Sequence, residues 1–156
     1  MRRSKKIRLA AFFISAIFLW LPTGLFSQSL SPAGQWKTID DETGKAKSIV
    51  EISVGSDGKL YGKIIKLFKE PHEDQDPVCD KCSGNKKDKK IIGMQIMWEL
   101  EKDSETEWED GHILDPKNGK TYGCEIEVID SGARLKVRGY LGFSLLGRTQ
   151  TWIRVN

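Results

Sequence analysis

The sequence predicts an all-β domain, an antiparallel up-and-down meander of about eight strands that closes into a small barrel. Apolar residues recur at every second position in several short segments, as expected of strands with one buried face. Most of these segments are separated by short stretches rich in Gly, Asn, Asp and Pro, which favour tight turns. Closure leaves no strand edge exposed, so the barrel is favoured over the alternative, a two-sheet β-sandwich.

The first half of the domain is predicted to contain a first strand and a hairpin. The first strand covers 35–39. In 45–54, apolar residues lie two positions apart near the end of the segment, until Gly-Ser-Asp-Gly at 55–58 ends the pattern. The segment 59–68 continues as the second arm of the hairpin.

The clearest strand signal in the chain covers 92–100. Large apolar side chains alternate there with mostly polar residues or Gly, which is typical of a strand rather than a helix. The alternating residues are Ile92, Met94, Ile96, Trp98 and Leu100. We expect these five side chains to share one face.

The second half repeats the pattern at short intervals. Asp-Pro-Lys-Asn-Gly at 115–119 and Asp-Ser-Gly at 130–132 are predicted turns, because Pro presets φ and Asn-Gly tolerates positive φ. The predicted strands around these turns are 108–114, 122–128, 135–141 and 149–155.

Residues 1–27 are predicted to be a secretory signal peptide. Five basic residues lie within the first eight positions, and an almost unbroken apolar run follows from Leu9 to Phe26. We place cleavage after Ser27, which leaves one domain, 28–156, in the periplasm or outside the cell. The run is also about as long as a membrane-spanning helix requires, so an uncleaved anchor is the alternative. After cleavage we expect no stable membrane span.

Removing the leader changes the sign of the net charge. The full chain has 25 basic and 22 acidic residues and a formal net charge of +3, and loss of five basic residues leaves 20 against 22, a net charge of −2. Nucleic-acid binding relies on Lys and Arg that neutralise phosphates. We therefore predict no nucleic-acid partner.

The segment 69–90 departs from the short turns. It is rich in charged residues and has few apolar ones to pack, so we expect a surface loop. In an oxidising compartment the exposed Cys79 and Cys82 are expected to form a disulfide. Cys124 alternates with apolar residues and is expected to be a buried free thiol.

Other chemistry has weaker support in the sequence. Thiol-redox activity needs a stabilised thiolate, commonly at a helix N-terminus, and no helical pattern follows Cys82. His72 with Cys79 and Cys82 is a weak alternative set of metal ligands, since structural zinc sites usually have a second pair at a defined spacing. No Gly-x-Ser-x-Gly elbow supplies a nucleophile. We predict no enzyme activity, no cofactor and no metal.

Several short segments together resemble one bacterial family. They are Gly34-Gln35-Trp36, Thr43-Gly44, Cys79-x-x-Cys82, Leu114-Asp115-Pro116, Gly119-Lys120-x-Tyr122, Leu135-x-Val137-Arg138-Gly139-Tyr140-x-Gly142 and Gly147-Arg148-Thr149-Gln150-Thr151-Trp152. These segments are similar to the exported family catalogued as domain of unknown function 2147, over essentially the whole mature chain. The resemblance implies export and an architecture, but no established activity.

A looser similarity is to lipocalin-like (calycin) barrels. In such barrels a Gly-x-Trp on the first strand packs under a basic side chain beside the last strand and closes one end. Gly34 and Trp36 match the Gly-x-Trp, and Arg148 or Arg154 is the candidate basic residue. An Arg stacked on an indole gains cation–π energy, which makes the arrangement physically reasonable.

An eight-stranded barrel can hold one small ligand or be filled by its own side chains. We predict an exported binding protein of unknown specificity, whose partner is a small apolar or amphipathic molecule in the barrel or another envelope protein. The alternative is a structural or interaction protein of the envelope with a filled barrel. The residues predicted to contact the ligand are Trp36, Arg138, Tyr140, Arg148 and Trp152.

Overall fold

The computed structural model describes residues 30–142 and 146–155, so the predicted leader lies outside the described residues. Eight antiparallel strands follow one another around a closed barrel, and β1 pairs with β8 to complete it. The strands are β1 (Gly34–Ile39), β2 (Ala46–Val54), β3 (Leu60–Leu67), β4 (Gln95–Lys102), β5 (Glu107–Asp115), β6 (Lys120–Ile129), β7 (Arg134–Tyr140) and β8 (Gly147–Arg154). The predicted barrel is confirmed, and the β-sandwich alternative is wrong because every strand pairs with both of its neighbours around one sheet.

The meander places its connections at two ends. The connections β2–β3, β4–β5 and β6–β7 lie at one end with the start of β1, which we call the closed end. The connections β1–β2, β3–β4, β5–β6 and β7–β8 lie at the other, which we call the open end.

The barrel interior is packed with apolar side chains, because successive residues of a strand point to opposite faces and one face of each strand is apolar. Buried side chains on the eight strands include Trp36, Val50, Ile52, Leu60, Ile64, Met97, Leu100, Trp108, Cys124, Ile126, Val128, Leu135, Val137 and Trp152. Cys124 is a free thiol, as predicted, and burial raises its pKa far above the ordinary value. It is therefore unreactive in the folded protein.

The closed end is organised around Trp36 and Arg154. The Arg154 guanidinium lies 4.2 Å from the centroid of the Trp36 ring, and the indole N–H donates to the Pro32 carbonyl at 2.7 Å. Arg154 also donates to the backbone carbonyls of Ser31 at 2.7 Å and Ala33 at 3.2 Å. Arg154, rather than Arg148, is thus the basic partner of the Gly-x-Trp segment.

β4 differs from the strict alternation that the sequence suggests. Ile96 and Met97 are adjacent and both buried, while Trp98 is partly exposed. Glu99 has a φ of +63°, and the pairing with β3 shifts at this point. The expected single face from Ile92 to Leu100 is therefore wrong, because an irregularity near Glu99 changes the side-chain parity, and Ile96 is buried next to the inward Met97.

The β3–β4 connection, 68–94, is mostly exposed, so the predicted surface loop is confirmed, and its few buried residues belong to the apolar core cluster. Cys79 and Cys82 form a disulfide, as predicted, but they are 0% and 4% exposed, so their expected exposure is wrong. A short bridge joins Val78 to Lys90, and the Lys86 amine lies 4.0 Å from the centroid of the Trp98 ring. The few apolar residues of this segment suffice because the barrel wall supplies their partners.

Candidate ligand site at the open end of the barrel

Six residues surround the interior at the open end, and we call them the mouth site. They are Asp41, Ile113, Tyr122, Gly139, Arg148 and Gln150. Three of them converge from neighbouring strands: a Cβ added to Gly139 would lie 3.5 Å from Cγ2 of Ile113 and 3.7 Å from Cβ of Tyr122. These three residues are partly exposed, so the apolar wall of the barrel is accessible there.

The adjoining wall of the mouth is polar, because β8, the neighbour of β7, turns polar side chains inward near the open end. The Gln150 amide donates to Oδ2 of Asp41 at 3.0 Å, and Arg148 donates to the same oxygen. Deeper in the barrel, the Trp152 indole N–H lies 3.4 Å from Oε1 of Gln150. A chain of hydrogen bonds thus connects the buried indole to the exposed guanidinium.

The barrel is filled beneath this level. Val50, Met97, Cys124 and Val137 are all 3% exposed or less. The two polar side chains buried nearby satisfy each other, since the hydroxyls of Thr38 and Ser48 are 2.7 Å apart. Among the described residues, the mouth site therefore lies directly above a filled apolar interior.

The five residues predicted to contact a ligand lie in three different places. Arg148 is at the mouth, Trp152 is one hydrogen bond below it, and Trp36 is at the closed end. Arg138 and Tyr140 face outward: Arg138 pairs with a carboxylate of β6 at 3.4 Å, and the Tyr140 ring lies over Gly123. The structure does not bring these residues together, and their contact with a ligand stays a prediction.

Sequence reasoning missed most of the mouth site. The missed residues are Asp41, Ile113, Tyr122, Gly139 and Gln150. Gln150 alternates with Trp152, and Gly139 alternates with Val137, so strand parity already placed both on the inner face. The same parity assigned Arg138 and Tyr140 to the outer face. No sequence pattern indicated Asp41 as a site residue, because it lies in a turn outside any alternating segment.

The structure does not support the weak alternative of a metal site at His72, Cys79 and Cys82. The sulfurs of Cys79 and Cys82 are bonded to each other, so neither is a thiolate ligand. In 30–142 and 146–155, no group of three or more His, Cys, Asp or Glu side chains could hold a metal ion. The cysteine pair acts here as a covalent clamp within the connection.

A separate groove of about 250 Å³ lies on the outer wall. It is lined by Asp103, Glu107, Trp108, Glu109, Glu125, Ile126, Glu127, Lys136, Arg138 and Thr149. The charge of Asp103 above all, together with loss of hydration and the charge of Asp110, raises the pKa of Glu109. The groove is thus a mainly acidic surface, distinct from the mouth, in which Lys136 and Arg138 pair with two of the carboxylates.

The comparisons with known proteins agree with the barrel. A family model described as "Uncharacterized protein conserved in bacteria (DUF2147)" matches residues 34–154. No curated protein matches the chain. A solved structure of protein HP1028 from the human pathogen Helicobacter pylori, described as belonging to the lipocalin family, has a TM-score of 0.68 and 20% identity and covers 81% of this chain and 84% of its own.

At that identity the similarity concerns the fold alone. No helix within the described residues is long and apolar enough to cross a membrane. Since the family model extends over all eight strands, the chain belongs to the bacterial family DUF2147, and its fold is a lipocalin-like barrel.

Proposed function

We propose that this domain is an exported, non-enzymatic binding protein that holds a small amphipathic molecule at the mouth of its barrel. One observation carries the proposal: the inner wall of the open end is apolar on one side, at Ile113 and Tyr122, and polar on the other, at Arg148 and Gln150. An amphipathic ligand has the same two faces. Its polar head would lie at Arg148 and its apolar part against Ile113.

The ion pair at the mouth presents little barrier to such a ligand. The Arg148 side chain is 66% exposed and that of Asp41 is 36% exposed. Exposed pairs of this kind contribute only about 0–1 kcal/mol to stability. A ligand carboxylate or phosphate could therefore replace Asp41 as the partner of Arg148 at small cost.

The packed floor limits the ligand. Because Met97 and Val137 fill the barrel beneath the mouth, a bound molecule would insert only part of its length. We therefore propose a ligand that inserts only part of its apolar chain at the mouth. It is not enclosed by the barrel, unlike a ligand in an eight-stranded barrel with an open interior.

Export is part of the proposal. The Cys79–Cys82 disulfide supports it, since such bonds persist in oxidising compartments and are rare in the reducing cytosol. N-terminal sequencing of the protein from the cell envelope should begin within two residues of Gln28. Recovery of intact Met1 on membrane-bound material would instead support the uncleaved anchor.

A second function is favoured by the packing itself. Trp36, Trp108 and Trp152 are each buried to at least 94% within a continuous apolar cluster. Such an interior also suits a structural or interaction protein of the envelope that binds no small molecule. The two functions differ in whether the mouth is occupied.

Titration with a fluorescent fatty acid, 11-(dansylamino)undecanoic acid, separates the two. We expect saturable binding at one site, with an affinity about tenfold weaker or more in Arg148→Gln, as for loss of one charge-assisted contact. Arg138→Gln is the matched control, because Arg138 lies on the same hairpin but faces outward. Gly139→Leu should obstruct the mouth site, whereas the Cβ of Gly139→Ala should fit in ordinary contact.

Equal effects of Arg148→Gln and Arg138→Gln would exclude the mouth site. No binding of the dye, and no co-purified small molecule in native mass spectrometry of the envelope protein, would favour the filled-barrel function.

A further inference from the structure

The barrel is closed unevenly where its first and last strands meet. Among the described residues, the ladder between β1 and β8 ends at Lys37 and Ile153, towards the closed end. Both strands continue towards the open end without pairing to each other, which leaves 38–39 of β1 beside 148–152 of β8. We call this stretch the seam. On its other side, β8 pairs with β7 throughout the same stretch, so the seam is held by contacts other than a backbone ladder.

Side chains of the mouth site hold the seam together. The carboxylate of Asp41, in the β1–β2 turn, accepts hydrogen bonds from Gln150, at 3.0 Å, and from Arg148 on β8. The side chains of Asp41 and Arg148 are 36% and 66% exposed, so water competes for both groups and the ion pair is weak. The seam is thus held by a contact that a ligand anion can replace.

Asp41 can release β8 without loss of the turn that carries it. The preceding residue, Asp40, fixes this turn, because its Oδ1 accepts from the backbone N–H groups of Thr43 at 2.9 Å and of Glu42 at 3.2 Å. The Gly44 N–H donates to the Asp40 carbonyl at 2.8 Å. These hydrogen bonds do not involve the Asp41 side chain, so the turn keeps its shape when that side chain moves.

β1 has a hinge at the start of the seam. Its register with β2 shifts between Thr38 and Ile39, and irregularities of this kind bend a strand and interrupt its ladder. On the closed-end side, β1 is anchored by the contact of Trp36 with Arg154 at 4.2 Å. We therefore expect local movement at Ile39 and in the following turn rather than along the whole strand.

We propose that Asp41 is a latch, and that the barrel opens along the seam when the anionic group of a ligand replaces Asp41 on Arg148. The latch rests on the proposed function, since it regulates the same site. In the latched state, Met97 and Val137 fill the interior beneath the mouth. Opening widens the mouth between β1 and β8 and admits more of the apolar part of the ligand.

Labelling of an inward thiol measures opening of the seam without any ligand. Thr38→Cys places a thiol at the seam, where Thr38 is 8% exposed, and iodoacetamide should label it faster than Cys124, which is 0% exposed. Asp41→Ala should accelerate labelling at position 38 about threefold to tenfold, because it removes an exposed ion pair and a hydrogen bond. Glu42→Ala is the matched control. It removes the same charge from the same turn, leaves the Asp41–Arg148 ion pair in place, and should not accelerate labelling.

Val137→Cys distinguishes the seam from access through the mouth as a whole. Val137 is 3% exposed on the inner face of β7, which is paired on both sides. Its labelling should be slow and unaffected by Asp41→Ala. Ser48→Cys is a second probe of the seam if Thr38→Cys does not fold, since the two hydroxyls are 2.7 Å apart. Rapid labelling of Cys124 identifies a variant that is unfolded.

Titration with the fluorescent fatty acid tests whether the ligand controls the latch. Asp41→Ala should bind 11-(dansylamino)undecanoic acid about two- to fivefold more tightly than the wild type, because the dye no longer competes with the Asp41 carboxylate for Arg148. Glu42→Ala should bind it as the wild type does. Equal affinities of Asp41→Ala and the wild type would show that the ligand does not displace the latch.

The latch and the mouth site can fail separately. Equal labelling rates at position 38 and at Cys124, or equal effects of Asp41→Ala and Glu42→Ala on labelling, would overturn the latch even if the dye binds. Labelling of Val137→Cys that is as fast as that of Thr38→Cys, and as dependent on Asp41, would also overturn it. If labelling depends on Asp41 but the dye does not bind, the seam opens and the proposed ligand function is wrong.

Discussion

Gly34 and Arg154 explain why the first strand begins with Gly-x-Trp. Gly34 has a φ of +131°, and a Cβ at this position would lie 3.0 Å from a terminal nitrogen of Arg154. A residue other than Gly would therefore push the guanidinium away from the Trp36 ring. The three residues act as one unit that covers the closed end and joins the first strand to the last.

Because Trp36 and Arg154 are in contact, we expect substitutions at the two positions to have non-additive effects on the unfolding free energy. Trp36→Ala should cost about 3–5 kcal/mol of unfolding free energy, as for other buried aromatic truncations. Arg154→Ala should cost less alone, and the double variant less than the sum, because contacting residues are not additive. Denaturant unfolding of the wild type, the two single variants and the double variant gives this double-mutant cycle. Trp36 with Arg148 is the control pair, for which the losses of unfolding free energy should add. Additivity between Trp36 and Arg154 would show that the stacking does not stabilise the barrel.

The raised pKa of Glu109, on the outer wall, predicts that the stability of the protein depends on pH. Its pKa is raised from the ordinary 4.5, so the folded state holds the proton more tightly than the unfolded state does. Stability then falls as pH rises through the window above 4.5. Glu109→Gln should raise the melting temperature at neutral pH and lose this advantage at acid pH. Glu42→Gln, in the β1–β2 turn, is the control; an advantage for Glu109→Gln that does not change with pH would contradict the electrostatic cause.

At the scale of elements, the β3–β4 connection is held by a close contact with the β5–β6 turn. A Cβ at Gly119 would lie 1.9 Å from the Lys81 carbonyl oxygen, beside the disulfide. This contact joins residues that are far apart in sequence. The charge-rich sequence of the segment correctly predicted a surface loop, but local composition contains no information on the contact with the β5–β6 turn, beside which the two cysteines are buried.

Gly119→Ala should therefore loosen the connection. Gly44→Ala is a matched control, since Gly44 has a φ of +68° against +73° for Gly119 but nothing within 4 Å of an added Cβ. Gly44→Ala should lose only about 1 kcal/mol of unfolding free energy, from placing a side chain at a positive φ. We expect faster reduction of the disulfide in Gly119→Ala alone, measured by thiol labelling under dithiothreitol, with two thiols labelled and Cys124 protected. Equal rates in both variants would mean that the contact does not hold the segment.

At the scale of the whole molecule, the strand order was predictable because turns and alternation are local signals and a meander needs no long-range choice. The change of parity near Glu99 was not predictable, since a backbone irregularity leaves no mark in the alternation. The mouth site was predictable only in part. Gln150 follows from strand parity, whereas Asp41 reaches β8 only after the barrel closes.

The central claim is that an amphipathic molecule binds at the open end of this barrel. The most direct test is a titration of isotope-labelled protein with dodecanoate, followed by amide chemical shifts in ¹H–¹⁵N spectra. The account predicts saturable shifts concentrated at Tyr122, Gly139 and Gln150, with little change around Trp36 at the closed end. Shifts concentrated at the closed end or on the acidic outer groove, or no saturable shifts at all, would contradict it.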